Sequence, residues 1–513
     1  MKRWICGLPI TGLLAIVFLN GCAAQPTAAS APSETALREQ LKDSLVFVQV
    51  AAYQYEQLQP WKTPDLAERA GYGCAVGPDL VLTTAWNVSD AAFIKIQRHG
   101  QNETIPAKIK VIDYESNLCL LQLTVAGLNP SPLKPVRFEN GYRKGAEVKT
   151  FWLSPDGTIS SGRGFLDRAD VFQSVPSFAS FLNFVVGNAS KTFGRGRVYF
   201  VDDQPVGMAC WTNNETGEVG LIPAETIRAF LADASEGRYD GFGVEGFETI
   251  PLVDPTLRRS MKMPADLKNG VYVAKVRRMG TGNDLLQGGD AILAIDGHTL
   301  DAHGKYEDPR YGQLEYQHLL SSRKAGDEVK FTVWREGKQV ELAGKAQRID
   351  AARMLVPWYE YGNPPEYIVV GGYVIQKLTR DYLEMWGEGW EGKTPPHLYN
   401  YLHNKGFEPT DKRQQVVVLS YVLPADINLG YHMLGRLVIR KVNGVEVKNL
   451  SEVLSILTAN AMSPFHTLEF EQENPTIVIS REGLPAADQR IAQQYGIGKL
   501  VNVRETKADS ESK

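Results

Sequence analysis

The stretch that most constrains the fold is residues 71–88, which read GYGCAVGPDLVLTTAWNV. Its centre, Leu80-Val81-Leu82, is an apolar run that the chain enters through the turn residues Gly77-Pro78-Asp79. An apolar run bounded by turn residues is typical of a buried β-strand. The sequence therefore predicts a strand followed by a short turn or helix, and Trp86 stands in that turn.

Short apolar runs of the same kind continue from residue 44 to residue 235, separated by Gly, Pro, Asn and Asp. Many short strands with such turns between them predict an all-β double barrel. The 513 residues are also too many for one hydrophobic core, so we expect about three or four domains.

Two motifs of this region resemble the trypsin-like proteases of the HtrA/Deg family. The family reads L-T-N-A-H-V-V where this chain continues from Leu82, which places Trp86 on the catalytic histidine. The family's aspartate begins the pattern D-L-A-L-L, and the run from Glu115 to Leu121 places Asn117 on it. The resemblance therefore implies that the base and the carboxylate of the triad are both absent.

A third motif gives the position of the nucleophile. The family's G-N-S-G-G-P-L, counted back from Pro205-Val206-Gly207, places Gly194 on the serine and Thr192 on a glycine of the oxyanion loop. Thr192 resists the positive φ that such a loop demands. Peptide hydrolysis by a catalytic triad needs a hydroxyl, an imidazole and a carboxylate. The resemblance therefore implies a trypsin-like domain over residues 44–235 with no intact triad.

Two questions about this domain stay open. Trp86 either fills the vacated core, which we favour, or lines a groove for an extended ligand. An active site rewired around Ser190, with Lys191 or His99 as base, is the alternative to a dead enzyme. Against it, adjacent residues of an extended chain point to opposite faces, and His99 lies in a polar segment that predicts an exposed turn.

Residues 236–347 resemble a PDZ domain, because residues 286–297 match the family's G-D-V-I-L-x-I-D-G motif nearly letter for letter. Residues 241–244 resemble its carboxylate-binding loop, and a helix predicted over residues 311–322 forms the other wall of the groove. The resemblance implies an α+β domain that binds peptide C-termini, with a blocked groove as the alternative. The implied binding residues are Phe242, Gly243, Val244, His318 and Leu319.

Residues 348–503 predict a second PDZ-like domain, in which Gly371, Gly372 and Tyr373 repeat the loop and its strand. An aromatic-rich insertion over residues 376–415 is expected to pack as a body of its own. The stretches at 426–431 and 442–447 resemble Deg proteases whose second PDZ domain serves assembly more than substrate capture. A homo-oligomer is therefore expected, and residues 504–513 are expected to be disordered.

The N-terminus resembles a bacterial lipoprotein signal. Lys2 and Arg3 precede an apolar run over residues 8–19, and Leu19-Asn20-Gly21-Cys22 closes the segment. The resemblance implies a signal over residues 1–21, a lipid on Cys22 and a tether over residues 22–43. With alanine rather than aspartate at the next position, it also implies a periplasm-facing outer-membrane protein of a Gram-negative bacterium. A plain secretory signal or a single anchor helix is the alternative.

Composition narrows the choice of partners. The formal net charge is −4 and the chain has no long basic run, so nucleic acid is not expected as a partner. Beyond the signal and Cys22, the cysteines are Cys74, Cys119 and Cys210. A disulfide between Cys74 and Cys119 is conceivable, and buried free thiols are the alternative. No spacing indicates a metal, and no cofactor is expected.

These observations predict a mostly β chain, a trypsin-like double β-barrel followed by two PDZ-like α+β domains. The function they imply is a lipid-anchored pseudoprotease that binds peptide or protein C-termini or unfolded proteins. An active endopeptidase with a rewired site and a purely structural oligomeric scaffold are the alternatives.

Overall fold

The computed structural model describes residues 34–124, 132–187, 194–459, 463–473 and 475–504. The fold is mostly β, as predicted, with two closed six-stranded barrels followed by two further sheet-containing domains. The predicted signal segment, Cys22, Ser190 and Lys191 lie outside the described residues. Within the described ranges, no helix is long and apolar enough to cross a membrane.

The first barrel contains the strand predicted at its centre. Val81 and Leu82 of the apolar run are buried and Leu80 is partly buried. A 3-10 helix, Ala85–Val88, follows as the predicted short turn. A short helix α1 (Glu34–Gln40) precedes the barrel. The strands, closed in the order β1-β2-β3-β6-β5-β4, are β1 (Leu45–Gln54), β2 (Asp65–Ala75), β3 (Leu80–Thr84), β4 (Ala91–Arg98), β5 (Thr104–Asp113) and β6 (Leu118–Leu123).

The second barrel closes in the order β10-β11-β12-β9-β8-β7. Its strands are β7 (Glu147–Leu153), β8 (Ile159–Gln173), β9 (Ser180–Gly187), β10 (Val198–Val201), β11 (Gln204–Asn213) and β12 (Glu218–Pro223). Helix α2 (Ala224–Ser235) follows and buries Ala224, Ile227 and Phe230, which lie three residues apart along one face.

The first PDZ-like domain departs from the sequence prediction at residues 311–322. Only residues 317–321 are helical, because the Asp308 carboxylate accepts hydrogen bonds from the N–H groups of Arg310 and Tyr311 and turns the chain into a hairpin. The elements are β13 (Phe247–Ile250), α3 (Pro255–Ser260), β14 (Val271–Val276), β15 (Ala291–Ile295), β16 (His298–Thr299), β17 (Lys305–Asp308), β18 (Gly312–Glu315), α4 (Gln317–Ser321), β19 (Glu328–Arg335) and β20 (Lys338–Lys345).

In the second PDZ-like domain the insertion forms short helices that bury Tyr382, Leu383, Leu398 and Leu402 in a common cluster. The elements are β21 (Tyr367–Val370), β22 (Tyr373–Lys377), α5 (Arg380–Glu384), α6 (Trp390–Lys393), α7 (Pro396–Lys405), β23 (Val417–Val422), β24 (Leu437–Val442), β25 (Val445–Glu446), α8 (Leu450–Thr458), β26 (Phe465–Phe470), β27 (Ile477–Ser480), α9 (Leu484–Tyr495) and β28 (Val501–Asn502).

The three cysteines Cys74, Cys119 and Cys210 are buried free thiols, so the conceivable Cys74–Cys119 disulfide is not formed. Cys74 pairs with Leu82 and Cys119 pairs with Thr83, on opposite sides of β3. The two cysteines therefore lie two strands apart, and their partners Leu82 and Thr83 alternate in facing. That separation exceeds the reach of a disulfide.

Two leucines in neighbouring strands of the first barrel test where its core lies. Leu82 is 0% exposed and Leu66 is 62% exposed. We expect Leu82→Ala to lower the free energy of unfolding by about 2–5 kcal/mol, because it leaves a cavity in the core. Leu66→Ala is the matched control and should change it by less than about 0.5 kcal/mol. Chemical denaturation followed by circular dichroism measures both, and equal effects would contradict this account of the core.

Candidate functional site

The turn that carries Trp86 is fixed to Asn117. The backbone N–H of Trp86 donates to Asn117 Oδ1 at 3.0 Å, and the N–H of Ala85 donates to the Asn117 carbonyl at 3.1 Å. Asn117 is buried and has a φ of +58°, a left-handed conformation that asparagine tolerates better than most residues. The structure therefore brings the first two predicted positions together.

Gly194 lies beside the same turn. Asn87 donates from Nδ2 to the Arg195 carbonyl at 3.2 Å, and that carbonyl also accepts the N–H of Tyr72 at 2.9 Å. The guanidinium of Arg195 lies 5.8 Å from the centre of the Trp86 ring. The three positions predicted from the resemblance thus meet in the cleft between the two barrels.

The space beside Gly194 is filled by Tyr72. A Cβ atom on Gly194 would lie 2.1 Å from Tyr72 Cε2, which is shorter than any real contact. The tyrosine is held by Arg197, which donates to its hydroxyl at 3.2 Å and whose guanidinium lies 3.4 Å from the centre of the Trp152 ring. A serine side chain therefore has no room at this position without a shift of Tyr72.

The amide of Gly196, in the loop that would carry oxyanion donors, is already bonded. Gly196 has a φ of +89°, and its N–H donates to the carbonyl of Ala209 at 2.8 Å. Thr192, the other altered loop position, lies outside the described residues. His99 donates a hydrogen bond from Nδ1–H to the carbonyl of Gly157, in the turn between β7 and β8, at 2.8 Å.

Trp86 is half-buried and is covered by a residue of another domain. The guanidinium of Arg69 lies 5.8 Å from the centre of its ring, and Arg69 donates to the Trp86 carbonyl at 3.1 Å. Tyr361 packs edge to face on the ring at 6.3 Å. It belongs to residues 346–366, between β20 and β21, which we name the connector. Trp86 therefore lines the cleft, and the connector closes the cleft over it.

The connector is held by buried acids that the sequence analysis did not single out. The Tyr359 hydroxyl donates to Glu115 Oε1 at 2.5 Å, and Arg348 lies 3.3 Å from Glu115 and 3.7 Å from Asp113. Burial, with Asp113 beside it, raises the pKa of Glu115 to about 8. No local pattern marks these contacts, because Glu115 and Arg348 belong to different domains.

The predicted carboxylate loop of the first PDZ-like domain is bonded to its own chain. The N–H of Gly243 donates to the Arg323 carbonyl at 3.0 Å, and the N–H of Val244 donates to the Gln347 carbonyl at 2.9 Å. Phe242 packs edge to face on Phe181 of the second barrel at 5.4 Å. These amides are not available to a peptide carboxylate in this arrangement.

The helix wall of the same groove is also covered. Helix α4, which carries His318 and Leu319, packs against β9 of the second barrel. Both side chains are buried, and His318 lies beside the rings of Tyr306 and Tyr311. Burial lowers the pKa of His318 to about 4, so the imidazole is neutral at neutral pH. In this arrangement the peptide groove of the first PDZ-like domain is blocked, which was the alternative to an open groove.

In the second PDZ-like domain, Gly371 and Gly372 form the two-residue turn of the hairpin β21–β22, with φ of +56° and +83°. The N–H of Gly371 donates to Asp488 Oδ1 at 2.6 Å, and Tyr373 is fully buried. Strand β21 pairs along β22, so the chain itself occupies the edge that an added peptide strand would use.

An open groove remains on the second barrel, at the ends of β8 and β11. It has a volume of about 680 Å³ and is lined by Phe172, Trp211 and several polar side chains. The two rings meet edge to face at 5.0 Å, and Trp211 Nε1 donates to Asn183 Oδ1 at 2.7 Å. Val175 and Trp211 also line a separate cavity of about 10 Å³, which Asn117 borders. We name this surface the barrel groove.

Comparison with known proteins found a matching domain family, similar sequences and a similar solved structure. Residues 356–501 match the family described as PDZ domain. The chain is 25% identical over 429 residues to the putative protease Do-like 3, mitochondrial, of Arabidopsis thaliana, covering 81% of this chain and 72% of that protein. It is 24% identical over 474 residues to the putative protease Do-like 12, mitochondrial, of Arabidopsis thaliana, covering 90% and 86%. Among solved structures, the HtrA-type protease AlgW with decapeptide is 17% identical, with a TM-score of 0.46, and covers 61% of this chain and 98% of that chain.

Substitution of Gly194 tests whether the nucleophile position is closed. We expect Gly194→Ala to lower the free energy of unfolding by about 1–3 kcal/mol, because its methyl group collides with Tyr72. Gly187→Ala, where the nearest atom would lie 4.0 Å from the new methyl group, is the matched control and should not destabilise the chain. If thermal or chemical denaturation finds both variants as stable as the wild type, the position is open.

The raised pKa of the buried Glu115 carboxyl predicts that the free energy of unfolding depends on pH. Between its usual pKa of 4.5 and about 8, the folded chain keeps a proton that the unfolded chain loses. This contribution to stability is therefore complete below pH 4.5 and is lost as the pH rises toward 8, with a slope of up to about 1.4 kcal/mol per pH unit. Glu115→Gln should flatten the decline, and exposed Glu103→Gln should not. Denaturation at pH 5 and pH 8 compares them, and a decline unchanged in Glu115→Gln would refute the assignment.

Proposed function

Because the chain is a homologue of the HtrA/Deg serine proteases and carries a PDZ domain, we propose that it binds peptides or unfolded protein segments without cleaving them. Support for the absence of cleavage comes first from Gly194, where Tyr72 occupies the space of a nucleophile. Trp86 and Asn117 stand where a base and its carboxylate are needed, and neither is able to activate a hydroxyl.

The barrel groove is the surface that best supports peptide binding. It is open, its floor is aromatic, and Gln173, Asn213 and Asn214 on its walls carry amides that hydrogen-bond a peptide backbone. A groove with an apolar floor and a few polar groups is the usual form of a ligand site. The predicted PDZ-like loops contribute less to this proposal, because their amides are already bonded within the chain.

The proposal extends to location and assembly. The lipoprotein-like residues 1–22 support a lipid anchor on Cys22 at the periplasmic face of the outer membrane. Leu429 and Met433, which are 75% and 86% exposed on one loop of the second PDZ-like domain, support self-association. The anchor and the assembly are independent of the binding activity.

The test uses the full mature chain, a fluorophosphonate probe and fluorescein-labelled unfolded casein. We expect no covalent labelling and a micromolar or tighter Kd by fluorescence anisotropy. Val175→Asp places a charge on the exposed wall of the barrel groove and should weaken binding at least about tenfold, because a buried charge without a partner is costly. Val253→Asp, at an exposed valine of the first PDZ-like domain, is the matched control and should bind like the wild type.

Each opposing result has a distinct meaning. Covalent labelling that a Ser190→Ala variant abolishes would establish the rewired endopeptidase instead. Absence of casein binding by a well-folded wild type would remove the binding function, and equal Kd values for the two aspartate variants would move the binding surface away from the barrel groove.

A further inference from the structure

The connector between the PDZ-like domains crosses the cleft in which Trp86, Asn117 and Gly194 meet. Besides covering Trp86, the Tyr361 ring lies 4.5 Å from the ring of Tyr114 in the first barrel. Its hydroxyl donates to the Pro176 carbonyl of the second barrel at 3.4 Å. One side chain of the connector therefore bridges both walls of the cleft.

The connector is bonded to the first barrel on both sides of Tyr361. Before it, Tyr359 donates to buried Glu115 at 2.5 Å, and its ring packs at a tilt against the ring of Tyr114 with the centres 4.9 Å apart. After it, the N–H of Gly362 donates to Asp90 Oδ1 at 2.7 Å. Residues 358–362 thus fill the cleft with two aromatic side chains at alternate positions and a backbone hydrogen bond, which is how an extended peptide is held.

The filled cleft lies close to the open barrel groove. Val175 and Trp211 line both the groove and a small cavity of about 10 Å³ that Asn117 also lines, and Ser174 at this cavity donates from Oγ to the carbonyl of Tyr114. The cavity has room for about one water molecule, so it separates the groove from the cleft. A peptide that extends from the barrel groove over the cleft therefore has to displace the connector.

The connector also joins this surface to the second PDZ-like domain. The carboxylate of Glu360, between the two tyrosines, pairs with buried Lys377 of β22 at 2.6 Å and with Arg504 after β28 at 3.0 Å. Displacement of Tyr361 consequently strains or breaks contacts at the second PDZ-like domain. The contacts around Glu360 link the state of the cleft to the position of that domain.

We propose that residues 358–362 are an internal ligand of the cleft between the barrels. An external peptide that carries aromatic side chains at alternate positions takes their place, and its entry frees the connector. This inference rests on the proposed peptide-binding function and adds a self-blocked state to it. An internal competitor lowers the apparent affinity for the peptide by the fraction of molecules in which the cleft is open.

The test measures casein affinity and hydrogen exchange on the full mature chain. Tyr361→Ala removes the ring from Trp86 and should tighten binding of labelled unfolded casein about tenfold. Tyr361→Phe keeps the ring and loses only the hydrogen bond to Pro176, so it should tighten binding less than Tyr361→Ala does. Phe465→Ala, at a half-exposed aromatic on β26, is the matched control and should leave the affinity unchanged. In the wild type, saturating casein should speed amide exchange in residues 356–364.

The outcomes separate the two proposals. If casein binds but neither Tyr361→Ala nor saturation changes the affinity or the exchange of the connector, the internal-ligand inference is overturned and the binding function stands. If no variant binds casein, including Tyr361→Ala, both fall. If Tyr361→Ala does not fold, exchange in the wild type alone decides, because a connector that stays protected in the complex overturns the inference.

Discussion

The arrangement of the domains depends on the buried carboxyl of Glu115. It lies in the loop between β5 and β6 of the first barrel and meets Arg348 and Tyr359, which belong to the connector. A buried acid without partners is costly, so the connector stabilises the barrel loop while the loop holds the connector. Because Asn117 follows Glu115 by two residues, the same loop also fixes the turn of Trp86.

The contacts of the cleft are consistent with the proposed absence of cleavage. Without an imidazole, a carboxylate at residue 117 would be buried with no cation to stabilise, and asparagine supplies the same hydrogen-bond acceptor without the charge. Tyr72 fills the volume that a side chain at Gly194 would need, and Arg197 stacks behind it. Trp86, Asn117 and Gly194 thus each make or border a structural contact.

The sequence predicted those parts of the structure that interactions between neighbouring residues determine. The apolar run before Trp86 forms β3. The positions that the resemblance assigns to the triad, Trp86, Asn117 and Gly194, lie near one another in the fold, and their assignment stays a prediction. The prediction of a helix from residue 311 was wrong. The Asp308 carboxylate accepts a hydrogen bond from the backbone N–H of Arg310, and this contact starts a hairpin. Hydrogen bonds between a side chain and the nearby backbone favoured a turn here over the helix that the spacing of apolar residues predicted.

The contacts that close the grooves could not be predicted from the sequence. The sequence predicts only that Phe242 lies in a loop. Its edge-to-face contact with Phe181 depends on how the domains pack. The partners of residues 358–362, Glu115 and Trp86, come from a distant part of the chain, and nothing in the local sequence points to them. Packing between domains is a long-range property with no local composition to mark it.

Mass spectrometry of an unfolded polypeptide after prolonged incubation with the full mature chain tests the central claim most directly. The account predicts a complex that, on dissociation, returns the polypeptide with its mass unchanged. Fragments of the polypeptide that appear only in the presence of the chain would contradict it.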